Sequence, residues 1–281
     1  MVDCAIILAA GENRRMGGKV QAKALLPLAD GTFLSRHIDL LAHHGVGRIF
    51  VIAHERLAHS FSRYEDARVR IIVSPFSRAR VGSSLSLLCG LDAALQIDPT
   101  PTSIFMDADI VYESAVMNAV LEDSLGQSRL FVINRAAGDA EEVRVYGQGA
   151  STPVLLGKGL PGSLTHGLTL LGESVGIISL KRHDVRYCRD LIYWLSGSPP
   201  HATGYGYSGV MSEHEEICQY LFSLRRLGVQ QIPEHFLFAE CDTTEDYDHI
   251  CKAVFPAIQS RDGQFSAHPE RVTSRGTAER T

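Results

Sequence analysis

Four basic side chains follow an apolar run near the start of the chain. The run, residues 5–10, ends at Gly11, and Arg14, Arg15, Lys19 and Lys23 come soon after it. A glycine turn at the carboxyl end of a buried strand lets backbone N–H groups face a phosphate chain. Basic side chains beside such a turn suit a triphosphate, because its charge must be neutralised while a bond to phosphorus breaks. The segment therefore predicts a nucleotide site; a solvated basic turn is the alternative, and the buried strand before it argues against that.

The spacing of the glycines excludes two common phosphate-binding loops. The dinucleotide pattern G-x-G-x-x-G is missing, because Gly11 is followed by the residues E-N-R. The Walker pattern G-x-x-x-x-G-K-[ST] also fails, because Gly11 is too far from Gly18 and Lys19, and Val20 stands where Ser or Thr is required. A hydride-transferring Rossmann enzyme and a Walker ATPase are therefore not expected.

A pair of carboxylates follows another apolar run. Residues 103–106 lead into Asp107 and Asp109, which are two positions apart. Open α/β sheets bind ligands at the carboxyl ends of their strands. Two neighbouring carboxylates suit Mg²⁺, which takes few protein carboxylates and completes its coordination with phosphate oxygens. Asp109 as a simple helix cap is the alternative, but a cap explains one acid better than two.

These side chains need a sheet that brings strand ends together. Short apolar runs predict strands over residues 5–10, 48–53, 69–73 and 103–106, and helical spacing predicts helices over 32–44 and 83–95. This alternation indicates a mostly parallel sheet with crossover helices. In the second half, we predict strands over 129–134, 142–146 and 173–180, helices over 185–196 and 212–227, and a loop over 197–207.

Composition limits the classes of function. The 281 residues include 27 basic and 32 acidic side chains, for a net charge of −5, so a nucleic-acid surface is not expected. The six cysteines form no C-x-x-C pair, and we see no charged leader and no apolar run long enough to span a membrane. We therefore expect a cytoplasmic protein with reduced thiols and no membrane partner.

The opening segment resembles a known family signature. Residues 8–28, L-A-A-G-E-N-R-R-M-G-G-K-V-Q-A-K-A-L-L-P-L, are similar to the L-A-A-G-x-G-x-R-M … P-K pattern of nucleotidyltransferases with a MobA-like fold, which activate sugars and small alcohols. Asn13 replaces the second glycine and Ala22 the proline. The resemblance implies a Rossmann-like three-layer α/β/α sandwich with a mixed, mostly parallel sheet, as in nucleotide-diphospho-sugar transferases. It also implies that Arg15 and Lys23 bind phosphates, while base and ribose lie on the backbone of Leu8, Ala9, Ala10 and Gly11.

The same resemblance gives roles to the acids. In the family, the metal-binding Asp stands where Asp109 stands here, which leaves Asp107 as a nucleotide-binding residue. Residues 238–247, F-A-E-C-D-T-T-E-D-Y, resemble the late E-x-D-T-x-E-D stretch, so Asp242 would be the second ligand of Mg²⁺. Helix capping by Thr243 or Thr244 with Asp246 is an ordinary alternative, and both interpretations can hold together.

Substrate specificity rests on weaker similarities, to cytidylyltransferases acting on phosphocholine and 2-aminoethylphosphonate. In those enzymes the counterpart of Ser84 lies beside the pyrimidine, although a serine at a helix start is often only a cap. Counterparts of Lys158, Glu142 and Glu173 line the acceptor pocket. Glu142, Glu173 and Glu240 would meet a cationic amine or trimethylammonium group, with cation–π contacts from Tyr112 or Tyr207. For each acid taken alone, an exposed surface charge is the favoured interpretation, and only the group of them argues for a cationic acceptor.

Together these observations predict a Mg²⁺-dependent cytidylyltransferase that couples CTP to a small phosphorylated or phosphonate acceptor and releases pyrophosphate. Lys23 and Lys158 would stabilise the α-phosphate, and Arg15 the departing phosphates. A single domain would span residues 1–258, with a nucleotide-binding half (1–125) and an acceptor-binding half (126–258), followed by a disordered polar tail (259–281). A sugar or inositol phosphate acceptor, another NTP, a non-catalytic regulatory module and a homodimer all remain open.

Overall fold

The computed structural model describes residues 2–11, 16, 22–74, 82–99, 101–122, 126–135, 142–197 and 213–265. The strands are β1 Cys4–Ala9, β2 Pro27–Leu28, β3 Gly31–Thr32, β4 Ile49–His54, β5 Val69–Ser74, β6 Ser103–Asp107, β7 Ile110–Tyr112, β8 Ser128–Ile133, β9 Arg144–Gln148, β10 Thr152–Gly157, β11 Thr169–Leu180, β12 Leu227–Ile232 and β13 Phe238–Glu240. The helices are α1 Phe33–His43, α2 Ala58–Phe61, α3 Ser83–Ile97, α4 Ser114–Leu121, α5 Gly162–Thr165, α6 Arg182–Gly197, α7 His214–Ser223, α8 Thr244–His249 and α9 Phe255–Phe265, with short 3₁₀ turns at Lys23–Leu25 and Ser62–Tyr64 and a π-helical turn at Ile250–Val254. None of the helices in these described segments is long and apolar enough to cross a membrane.

The nucleotide half is a parallel sheet. Strand β1 lies between β4 and β6, and β4 pairs with β5, all in parallel. Strand β1 is buried along its whole length, as a central parallel strand must be when helices cover both faces. The predicted strands of this half are confirmed. Because β1 and β6 run in register with Leu8 opposite Asp107, the end of β1 and the two predicted acids lie at one edge of the sheet.

The second half is built around one long strand. Strand β11 pairs antiparallel with β6, β8 and β9, and β8 in turn pairs in parallel with β12. The register of β11 shifts near Gly172 and again between Ser174 and Ile178, and both Gly172 and Gly176 have positive φ angles. These irregularities bend the strand, so its first part pairs with β9 and its last part with β6.

Helices cover both faces of the sheet and bury two cores. On one face, α3, α6 and α7 pack against the side chains of Ile6 and Leu8. On the other face, α1, α2 and α4 pack against Ala5 and Ile7. Alternate residues of β1 thus point into opposite cores, as the period of a strand requires. The predicted three-layer α/β/α fold class is confirmed.

The boundary predicted between the domain and its tail is wrong. Helix α9 continues past residue 258 to Phe265. Asp262 explains why: its carboxylate accepts from Arg36 Nη2 at 2.8 Å and from the Ser114 backbone N–H and hydroxyl at 2.9 and 2.8 Å. Arg261 also donates to Glu113. The polar composition of this stretch reflects charged contacts with the body of the protein, and residues 266–281 lie outside the described part.

Candidate active site

A cleft of about 510 Å³ opens at the sheet edge where the parallel and antiparallel halves meet. Its charged lining comes from both halves, from the following residues: Asp107, Arg135, Glu142, Lys158, Glu173, Glu215, Glu240, Asp242, Asp246 and His249. Carboxylates greatly outnumber bases in this lining. A cleft with such a charge would attract cations and the cationic parts of a substrate.

Lys23 forms the centre of the charged groups. Its Nζ donates to Asp109 Oδ2 and to Asp242 Oδ1, at 2.8 Å in both cases. All three side chains are mostly shielded from solvent. Partial burial disfavours the charged form of Lys23, but the two carboxylates outweigh it and raise the pKa of the ammonium group. Lys23 therefore stays protonated near neutral pH, as its predicted phosphate-binding role requires.

Three carboxylates gather around the same point. Oxygen atoms of Asp109, Glu240 and Asp242 all lie within 4.8 Å of one another. Strand pairing brings them together, since β13 runs antiparallel to β7 with Glu240 opposite Ile110, and the Cys241 N–H donates to the Asp109 carbonyl at 2.9 Å. Hard oxygen ligands in such a group fit Mg²⁺. Glu240, predicted to bind the acceptor, thus lies in the acidic cluster with the predicted metal ligands.

The pKa of Glu240 reflects this crowding. Its side chain is open to solvent on the cleft side, yet protein atoms surround it on its other sides. Desolvation and the carboxylates of Asp109 and Asp242 raise the pKa of Glu240 well above its usual range. A bound divalent cation would remove this penalty, which is why a carboxylate cluster of this kind is a good ligand set.

Asp107 has a different environment from its neighbour Asp109. It ends β6 opposite Leu8 and is half-buried, outside the group of three carboxylates. Burial and the charge of Asp109 raise the pKa of Asp107 well above its ordinary value. Its Oδ2 lies 3.8 Å from Nε2 of His214. The two acids of the predicted pair therefore face different partners.

Residues 242–246 combine a helix cap with a carboxylate that pairs with Lys23. The Thr243 hydroxyl accepts from the Asp246 N–H at 3.1 Å, and Asp246 Oδ2 accepts from the Thr243 N–H at 2.8 Å, which is a complete capping box for α8. Asp246 also accepts from the Asp242 N–H at 3.2 Å. The cap fixes the backbone here, while the Asp242 carboxylate points to Lys23.

The predicted acceptor residues line the same cleft. Lys158 follows β10, Glu173 lies in β11 and Glu142 precedes β9, where its carboxylate pairs with Arg144 at 3.1 Å. Tyr112 is not among them: its ring is buried and its hydroxyl bonds to His37 Nδ1 at 3.2 Å, so the expected cation–π contact is wrong. Tyr207 lies outside the described residues.

Sequence reasoning missed His249 and two further charged lining residues, Glu215 and Arg135. Glu215 belongs to the first turn of α7, where an acid is an ordinary favourable charge near a helix N-terminus. Arg135 follows β8, donates to the Phe238 carbonyl and lies with its guanidinium 5.3 Å from the centre of the Phe238 ring. No local pattern marks either residue, because their place in the cleft depends on how β8, β13 and α7 pack.

The remaining predicted residues are placed as follows. The backbone of Leu8, Ala9, Ala10 and Gly11 runs along the end of β1, beside Asp107. Ser84 is buried in the first turn of α3, whose N-cap residue is Gly82. Arg15 lies outside the described residues. The assignments of Ser84 and Arg15 stay predictions.

The chain resembles known proteins in its family and in its fold. A family model described as a MobA-like NTP transferase domain matches residues 5–174. The fold is similar to the inositol-1-phosphate CTP transferase from T. maritima (TM-score 0.66, 15% identity, 92% of this chain and 96% of that one). It is also similar to the CTP:phosphocholine cytidylyltransferase LicC from Streptococcus pneumoniae (0.62, 17%, 89% and 99%) and to a UDP-glucose pyrophosphorylase (0.66, 12%, 92% and 100%). No curated protein matches the chain significantly by sequence.

Proposed function

Since this chain belongs to the MobA-like NTP transferase domain family and is a nucleotidyltransferase, we propose that it is a Mg²⁺-dependent cytidylyltransferase. It couples CTP to a small acceptor that carries a phosphate or phosphonate and a cationic group, such as phosphocholine or 2-aminoethylphosphonate, and releases pyrophosphate. The observation that carries this proposal is the position of Lys23, 2.8 Å from both Asp109 and Asp242, next to the acid-lined cleft to which Asp242 contributes.

The proposed reaction is an in-line displacement at the α-phosphorus. An oxygen of the acceptor phosphate or phosphonate forms a bond to this phosphorus, while the bond from the phosphorus to the bridging oxygen breaks. The electron pair leaves with pyrophosphate. The attacking oxygen is already anionic near pH 7, so no protein base has to remove a proton. Positioning and charge neutralisation supply the catalysis.

Each part of the nucleotide has a proposed partner. Lys23 and Lys158 stabilise charge around the α-phosphate, and Arg15 holds the β- and γ-phosphates. Ser84 lies near the base, which favours CTP on the resemblance to cytidylyltransferases. Base and ribose are bound by Asp107 and the backbone of Leu8, Ala9, Ala10 and Gly11, consistent with the pairing of Leu8 and Asp107 across β1 and β6.

Asp109 and Asp242 are the proposed ligands of Mg²⁺, with Glu240 close enough to join them. When bound, Mg²⁺ neutralises phosphate oxygens and makes pyrophosphate a better leaving group. The carboxylates hold the position of the ion, and Lys23 keeps a permanent positive charge next to it. Mg²⁺ and Lys23 would then divide the charge of the triphosphate between them.

The acceptor preference follows from the charge of the cleft. Glu142, Glu173 and Glu215 line it together with Lys158. A doubly negative acceptor would be repelled by these acids, whereas an acceptor with a cationic group can pair that group with them and its phosphate with Lys158. A sugar or inositol phosphate acceptor is the alternative, and the fold similarity to an inositol-1-phosphate CTP transferase and a UDP-glucose pyrophosphorylase favours testing it.

A pyrophosphate-release assay tests the proposal. CTP, UTP, GTP and ATP are each combined with phosphocholine, 2-aminoethylphosphonate, inositol-1-phosphate and glucose-1-phosphate in the presence of Mg²⁺. We expect the highest rate with CTP and one of the cationic acceptors. A higher rate with inositol-1-phosphate or glucose-1-phosphate would overturn the proposed class of acceptor. A higher rate with another NTP would overturn the assignment of CTP as the nucleotide substrate. If no pair released pyrophosphate above the rate of Lys23→Met, a non-catalytic nucleotide-binding module would replace the enzyme.

A further inference from the structure

Asp107 lies against a glycine that leaves space for its carboxylate. Gly176 in β11 has φ +66°, and a Cβ at this position would lie 2.4 Å from Asp107 Oδ2. This positive φ falls within the register shift of β11 between Ser174 and Ile178. Any other residue at 176 would push the carboxylate away. The bend in β11 therefore curves the sheet and also leaves space for the side chain of Asp107.

His214 approaches the same carboxylate from α7. Its Nε2 lies 3.8 Å from Asp107 Oδ2, and its ring is almost fully buried. The ring meets Phe105 edge to face, with 5.7 Å between ring centres and 84° between planes. Phe105 and Asp107 both belong to β6, so His214 packs against the strand that carries Asp107 and faces its terminal carboxylate.

Ser83 and Glu213 fix the orientation of that ring. The Ser83 hydroxyl donates its single proton to Glu213 Oε2 at 2.7 Å, and the Ser83 N–H donates to the same oxygen at 3.0 Å. The hydroxyl oxygen accepts from the His214 backbone N–H at 2.9 Å and lies 2.9 Å from Nδ1. Because the hydroxyl proton is already used, Nδ1 must be the donor in that contact. The ring therefore keeps its Nε2 edge turned to Asp107, and because Nδ1 already carries a proton, Nε2 attracts the ionised carboxylate when the imidazole is protonated.

We propose that Gly176 and His214 are positioning residues that hold the Asp107 carboxylate in the orientation needed to bind the nucleotide. This inference rests on the proposed function, in which Asp107 contacts the base or ribose. Both positioning residues belong to elements of the acceptor half, β11 and α7, so the second half of the chain fixes a nucleotide ligand of the first half. Neighbours that orient a binding group commonly change affinity or activity about 10- to 100-fold when they are removed.

Gly176→Ala tests the first contact, with Gly149→Ala as a matched control. Gly149 has nearly the same φ, +67°, but a Cβ there meets nothing within 4 Å, so it reports the backbone cost alone. By calorimetry, we expect Gly176→Ala to weaken CTP binding about tenfold or more and Gly149→Ala to leave it unchanged. In the background of Asp107→Ala, the effect of Gly176→Ala should disappear, because the displaced group is gone. Equal effects of the two alanines, or an undiminished effect in that background, would overturn the inference.

His214→Asn and His214→Gln test the second contact. The amide of Asn reaches the position of Nδ1 and can keep Ser83 as a partner, whereas the amide of Gln reaches the position of Nε2. We expect Asn to raise KM for the nucleotide about tenfold with KM for the acceptor unchanged, and Gln to restore most of the loss. If both variants only lower the melting temperature, His214 is structural and the inference fails. A wild-type protein that binds none of the four NTPs would instead overturn the proposed function itself.

Discussion

Two clusters of charged side chains differ in the balance of their charges. In the first cluster, at the cleft, oxygen atoms of Asp109, Glu240 and Asp242 lie within 4.8 Å of one another, and among the described residues the ammonium of Lys23 pairs with two of them, Asp109 and Asp242. In the second cluster, beneath the opposite end of the sheet's antiparallel half, the single carboxylate of Asp184 is almost fully buried and has several donors. They are Ser128 Oγ at 2.6 Å, Arg226 Nη1 at 2.9 Å and, when it is protonated, His183 Nε2 at 3.2 Å.

The difference separates a ligand site from a structural one. A buried carboxylate with all its partners inside the protein has no need of a ligand, and it connects β8, α6 and the segment before β12. Among the described residues of the first cluster, carboxylates outnumber the one lysine that pairs with them, and a bound cation would relieve the repulsion between these carboxylates. The first cluster should therefore govern activity and the second stability.

The largest expected effect is on turnover. Asp109→Ala removes a proposed Mg²⁺ ligand, and we expect kcat to fall about 10²- to 10³-fold. The melting temperature should change little, because the lost ion pair with Lys23 is offset by the loss of a repelling carboxylate. Pyrophosphate release at saturating CTP and acceptor measures the first quantity, and thermal unfolding the second. Near wild-type turnover would show that Asp109 is not a metal ligand.

The second-largest expected effect is that of Asp184→Ala, which should lower stability without changing turnover. Asp184→Ala leaves the guanidinium of Arg226 and the hydroxyl of Ser128 without their acceptor, which we expect to cost about 3 kcal/mol of unfolding free energy, at the low end for a buried pair because Arg226 is partly exposed. Urea unfolding measures it. The matched control is Asp248→Ala, whose pair with Lys252 is exposed and should be worth less than about 0.5 kcal/mol. A loss of kcat in folded Asp184→Ala would contradict the division between the clusters.

Lys23 should compete with the metal in the absence of nucleotide. Lys23→Met removes the ammonium that neutralises Asp109 and Asp242, so the carboxylates should bind Mg²⁺ more tightly, by about tenfold, although kcat falls. Calorimetric titration of nucleotide-free protein with MgCl₂ measures this affinity independently of turnover. Weaker Mg²⁺ binding by Lys23→Met would show that the lysine supports the ion's site instead of competing for it.

The smallest effect is a pH dependence of stability in the cleft. The folded protein disfavours ionised Glu240 and raises its pKa above the ordinary value of 4.5, so the metal-free wild type loses stability as pH rises from 4.5 through the folded pKa. The Glu240→Gln variant has no ionisable group at this position, so it does not lose stability in this way. We expect its melting temperature to exceed that of wild type by about 2 °C at pH 8, a small shift because solvent reaches the side chain, and to match it near pH 4. Saturating Mg²⁺ should remove the difference at pH 8; a difference that is independent of pH would contradict the cause.

Much of the nucleotide half was predictable from sequence. A parallel strand buried on both faces must be a short apolar run, so β1, β4, β5 and β6 were found where the runs occur. The place of Asp109 just after the end of β6 follows from the topology of parallel sheets. The end of the domain was harder, because the charged residues that attach α9, such as Asp262, look like those of a disordered tail.

The sequence by itself determined the fold class, the ends of the parallel strands and the types of side chain at those ends. Periodicity and local turns depend on residues that are close together in the sequence. Only the tertiary structure decided which acids share a cation. The pairing of β13 with β7 puts Glu240 and Asp242 beside Asp109, while the bend at Gly176 and the packing of α7 turn Asp107 towards His214. These contacts join residues far apart in the chain, so no local spacing encodes them.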